Sequence, residues 1–156
     1  MSLADDVQRA LDRVQASGSG SLNLAVPPGS LRADLSAVDQ VGCSFRELAL
    51  DTDALQGADT RRLEQCAASI ASRLTYLLEP LRVLEIDDQA RIVQLRSVPP
   101  SRQGNLHSYY EVQVREGGSI VLRRFEAVRG RPRRHVDAHV TREVFTRLAH
   151  DLCSVV

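Results

Sequence analysis

The sequence predicts an α+β domain in which helices pack on one face of an antiparallel sheet, and three observations carry that reading. Apolar residues recur at helical spacing near both ends of the chain and over about 59–79. After Pro80 the period drops from helical to alternating, as in a meander of four to five strands in the C-terminal half. The length of 156 residues fits a single domain over 1–156 and requires no second core.

The first helix opens at Ser2, with Asp5 three residues on as its capping-box acid and Leu3, Val7, Leu11 and Val14 along one side. The run "ASGSGS" at 16–21 reads as a flexible joint. "LNLAV" then alternates as a short strand stopped by Pro27, Pro28 and Gly29. Over 31–50 the alternation of Leu31, Ala33, Leu35 and Ala37 favours strands, with a helix for part of 31–41 as the alternative. The long central helix is predicted over about 59–79, capped by Asp59 and closed by Pro80, with Leu63, Cys66, Ala67, Ile70, Leu74, Leu77 and Leu78 on its apolar stripe. Cys66 on that stripe reads as a buried, inert thiol.

Two hairpins follow. "DDQA" is the turn of the first and sets Leu84 against Val93. In the second, a two-residue Gly117-Gly118 turn sets Val114 against Val121, Tyr110 against Phe125 and Glu111 against Arg124 as a cross-strand ion pair. "RRHVDAHV" alternates as one more half-buried strand before Thr141 caps the last helix.

Composition bounds the chemistry. Aromatic residues make up only 4% of the chain, so its core must be aliphatic, and 26% charge with 43% hydrophobic content is ordinary for a folded domain. All 20 basic residues are arginine, which excludes the lysine of a phosphate-binding loop and any lysine Schiff base. The three cysteines, Cys43, Cys66 and Cys153, are odd in number and far apart, and no secretory h-region precedes them. The expected compartment is the cytoplasm. No apolar run approaches the ~18 residues of a membrane span, so no membrane partner is expected.

The net charge of zero hides an asymmetry: residues 1–60 carry −5 and residues 91–156 carry +6. Its densest part is "RRFEAVRGRPRRHVDAH" at 123–139, which holds six arginines. Two candidate sites lie there. His135, Asp137 and His139 alternate as a strand would carry them, and imidazole and carboxylate groups two apart can converge on one metal ion. Arg129, Arg131, Arg133 and Arg134 form a basic turn fit for an anion or an acidic partner. Only Phe125 is interleaved with these cations, too few aromatics for a stacking platform on nucleic acid.

No catalytic residue and no cofactor is identified. The reading favoured is a non-catalytic, cytoplasmic protein-binding or adaptor domain that recognises a protein partner or itself, as a homodimer, through a sheet edge or the long helix. The alternatives are a metal-dependent enzyme or metal-binding protein centred on His135, Asp137 and His139, and a nucleic-acid-binding module using the arginine-rich turn at 123–134.

Overall fold

In the computed structural model, which describes residues 2–27 and 29–156, three helices cover one face of a ten-stranded antiparallel sheet. Helix α1 (Leu3–Ser17) begins with the predicted capping box: the Ser2 hydroxyl accepts from the Asp5 N–H, and the Asp5 carboxylate accepts from the Ser2 N–H. Gly18, at φ 86°, ends the helix, and β1 (Gly20–Val26) starts after Ser19. Most of 16–21 therefore belongs to regular elements. Strands β2 (Gly29–Val38) and β3 (Gly42–Thr52) take up 31–50 apart from the turn at 39–41, so the alternation there marks strands and not a helix. Pro28 lies outside the described residues.

The long central helix is shorter than its apolar stripe suggests. Helix α2 spans Thr60–Arg73, with the Asp59 side chain accepting from the Arg62 N–H, and Leu74 already leaves helical geometry at ψ 64°. Leu74, Leu77 and Glu79 are buried although the chain carrying them is not helical, whereas Leu78, expected on the same apolar stripe, points into solvent because the helix has already ended. Their apolar spacing imitates a helix because an irregular segment is drawn over the same core. The Tyr76 hydroxyl, donating to Asp151 at 2.7 Å, ties this segment to the last helix.

Strands β4 (Leu81–Asp87), β5 (Ile92–Ser97), β6 (Ser101–Gln103), β7 (Leu106–Arg115), β8 (Ser119–Val128), β9 (Arg134–Val136) and β10 (Ala138–Thr141) follow, and α3 (Arg142–Ser154) closes the chain with Thr141 as its N-cap. The main sheet order is β1-β2-β3-β8-β7-β5-β4; the C-terminal half holds seven strands, β4 to β10, rather than four or five, because the short strands β6, β9 and β10 pair on the side of β7, β8 and β3, and residues 20–52 add three more. The outer strands of that order are β1 and β4.

Both hairpin registers differ from expectation. In the second, Glu116 joins the two glycines in a three-residue loop, so Arg115 pairs with Ser119 and Val112 with Leu122. Gly118 lies at φ 97°, and a methyl group on it would come within 2.3 Å of the Thr52 carbonyl oxygen. Hydrophobic matching selects this register: Val112 and Val114 meet Leu122 and Ile120, whereas a two-residue turn would set Val112 against Arg123. In the first hairpin Ile86 pairs with Val93 and Val83 with Leu95, and Leu84 is an extra, bulged residue without the predicted Val93 partner.

The segment "RRHVDAHV" is two strands rather than one. Strands β3 and β8 pair from Asp51 and Ser119 to Leu48 and Leu122 and then diverge. Into that gap β9 runs up along β8, the chain reverses at Asp137, and β10 runs back down along β3. Leu31, Leu48, Leu50, Val93, Val112, Val114, Ile120 and Leu122 share the face that packs on Val7, Leu11, Leu63, Ile70, Phe145 and Leu148 of the helices in one hydrophobic core.

Candidate functional site

The basic stretch at 123–134 is largely neutralised within the fold. Arg123 donates from Nε to Glu47 at 2.7 Å on the sheet face opposite the helices. Glu47 also takes Arg32, which reaches on to Asp51 at 2.7 Å, so alternating charges cross three strands. Burial works against the Glu47 carboxylate, but the hydrogen bonds from Arg32 and Arg123 outweigh it and hold its pKa below the ordinary value. Arg133 folds back over the same face, stacks 3.8 Å from the Phe125 ring centroid and binds the buried carboxylate of Glu111. Burial opposes its charge, yet hydrogen bonds to Tyr109 and Glu111 raise its pKa.

Arg134 pairs with Glu126 at 2.8 Å. Arg124 points to the helix side, over the Tyr110 ring and 3.4 Å from Glu79. The predicted Glu111–Arg124 pair is therefore absent, because the shifted register puts the two side chains on opposite faces. Of the four arginines proposed for an anion or partner, Arg133 and Arg134 already hold carboxylates of this chain, while Arg129 and Arg131 are exposed and form no ion pair among the described residues.

The reversal at Asp137 also sets where His135, Asp137 and His139 go. His135 lies on β9, packed against the Phe125 ring at 5.4 Å, with Nε2 2.6 Å from the Arg46 carbonyl and Nδ1 3.2 Å from the Arg46 guanidinium. His139 lies on β10, with Nδ1 2.7 Å from the Ser44 hydroxyl. Asp137 sits between them at the apex, where its buried Oδ1 has no hydrogen-bond partner and the nearest cation, Arg46, is 3.8 Å away. The cleft that His139 lines with Asp39 and Cys43, about 310 Å³, contains neither His135 nor Asp137. Among the described residues no three His, Cys, Asp or Glu side chains gather as a metal ligand set.

The thiols are equally quiet. All three cysteines are free, and burial pushes Cys43 and Cys66 up to about 11, well away from thiolate reactivity at neutral pH.

One buried polar network had no counterpart in the sequence reading. The Glu79 carboxylate is 5% exposed and accepts from Ser97 at 2.8 Å, from Ser101 at 2.6 Å and from Arg124. Ser97 in turn accepts from the Tyr110 N–H at 2.7 Å. These groups lie 18 to 45 residues from Glu79 in sequence, and no local pattern joins them.

What the fold leaves open is the edge strand β4 and the residues leading into it. Large apolar side chains are exposed at Leu78 (76%), Val83 (41%), Leu84 (51%) and Ile86 (42%), and elsewhere only at Val41 among the described residues. Leu81, Val83 and Ile86 point to the helix side, opposite Ser97, Leu95 and Val93, yet Val83 and Ile86 stay exposed while Leu95 and Val93 are buried. On the other side Arg82 stands directly opposite Arg96, whose guanidinium lies 4.5 Å from the Tyr109 ring and whose buried Nε has no hydrogen-bond partner. The alternation of "LRVLEI" was a signal for this strand, but its position at the sheet edge depends on the order of strands.

In comparison with known proteins, the chain matches no family model, no curated protein and no solved structure. No helix among the described residues is long and apolar enough to cross a membrane.

Proposed function

We propose that the protein is a non-catalytic protein-binding or adaptor domain of the cytoplasm, whose contact surface is the open edge of β4 and whose partner adds a strand there, as in a homodimer. One observation carries the reading: four of the five large apolar side chains exposed among the described residues fall within Leu78–Ile86, on or just before an unpaired strand edge. A free edge presents a row of N–H and C=O groups, and folded proteins ordinarily guard such edges with charge, proline or a covering element. Here the edge is apolar on one side. Main-chain hydrogen bonds to an added strand, with apolar contact on alternate side chains, are a recurring mode of polypeptide recognition. The three free thiols support a reducing compartment.

The histidines and arginines support the other readings less well, since both ring nitrogens of His135 are already engaged and four of the six arginines pair within the chain. Light scattering on purified protein tests the proposal together with an Ile86→Lys variant, which places a charge on the exposed edge. The wild type should associate and the variant should not, with melting temperatures within a few degrees of each other. A variant that associates like the wild type removes β4 from the contact.

A further inference from the structure

The chemistry of β4 identifies its partner strand, an inference that rests on the binding reading above. Arg82 and Glu85 lie on the sheet face away from the helices, and neither forms an ion pair or a side-chain hydrogen bond among the described residues. Arg82 faces Arg96 across the strand pair, and like charges directly opposite each other are destabilising. The row across the sheet runs Arg123, Glu111, Arg96, Arg82, and the next position, on an added strand, calls for an acid.

Two-fold symmetry decides which strand can supply it. Two copies of a strand paired antiparallel about a two-fold axis must set side chains of the same face opposite each other. In a regular strand alternation forbids partners an odd number of residues apart, so Arg82 could never meet Glu85 of an identical copy. The extra residue Leu84 shifts the alternation, and Arg82 and Glu85, three apart, come to share one face while Leu81 and Ile86 share the other. The strand is thereby self-complementary.

We infer that a second copy of the chain covers β4, paired antiparallel about an axis between Val83 and Leu84, with each Arg82 facing Glu85 of the other copy. Leu81 then lies beside Ile86 of the second copy, and Val83 beside its Leu84, on the helix side. Asp87 is the less suitable acid because its carboxylate already accepts from the Gln89 and Ala90 N–H groups in the β4–β5 turn. Each contact occurs twice, and the formal net charge of zero gives the copies no long-range repulsion.

The test is sedimentation velocity over a range of concentrations on the full chain, on Arg82→Glu, on Glu85→Arg, and on a one-to-one mixture of the two variants. Each variant alone sets like charges together twice, and its dimer dissociation constant should rise by about tenfold or more. In the mixture both contacts are again opposite in sign, so a heterodimer should form with a constant within about threefold of the wild type. Circular dichroism and melting of each variant confirm that it is folded, as expected for exposed positions. A wild type that stays monomeric at every concentration overturns the second copy as the occupant. A wild-type dimer indifferent to either reversal, or a mixture that fails to recover, overturns the register and leaves association through β4 standing.

Discussion

Arg129 and Arg133 belong to one basic run, yet they have different physical roles. Arg129 stands in solvent, whereas Arg133 covers Phe125 and neutralises the buried Glu111 carboxylate, which is 3% exposed. Replacing Arg129 and Arg131 together by serine should change stability by no more than about 0.5 kcal/mol, while Arg133→Ser, by stranding Glu111, should cost about 2–4 kcal/mol in urea unfolding. Glu47 provides a pH test. Its folded pKa lies below the unfolded value of about 4.3, so its contribution to stability is fully present above that value and is lost as pH falls through the folded one. Glu47→Gln should therefore be less stable than the wild type at neutral pH, with the difference shrinking in acid; a difference that stays constant down to about pH 2 would show that Glu47 is not acting through its charge. Residue types were legible in the sequence at this scale and partners were not. Glu79 finds Ser97, Ser101 and Arg124 only through strand order, and Arg123 finds Glu47 across 76 residues.

At the scale of elements, caps and turns were readable because their causes are local. Ser2 with Asp5, Asp59 and Thr141 start helices where they should, since each supplies a side-chain acceptor to the first turn. Registers were harder. In Ile120, Val121 and Leu122 three consecutive apolar residues bury on both faces, so alternation alone does not fix which of them faces the helices. The spacing of Tyr110, Val112 and Val114 against Ile120 and Leu122 held the information needed to choose a three-residue turn. Gly118→Ala tests that turn: with φ at 97° and the Thr52 carbonyl in the way, it should destabilise by more than about 1 kcal/mol, while Gly117→Ala, with open space around it, should be close to neutral. Equal effects would contradict the loop geometry. The extent of α2 was misleading for a different reason, since Leu74 and Leu77 keep a helical apolar spacing in chain that has left the helix.

For the whole molecule, the fold covers one sheet face with helices, laces the other with arginine–carboxylate pairs, and leaves β4 as its exposed apolar edge. The α+β class was visible in the change of period after Pro80, but the sheet is larger than the C-terminal meander because β1, β2 and β3 join it through the β3–β8 pairing. Which strand ends up outermost follows from that closure, and the candidate surface with it. Amide hydrogen exchange measured at low and high protein concentration tests the role of β4 most directly, because an added strand protects N–H groups that an open edge leaves to water. Exchange over Leu81–Asp87 should slow with concentration while the opposite edge, Gly20–Val26, stays unchanged. Equal exchange of β4 at both concentrations would contradict self-association through that edge.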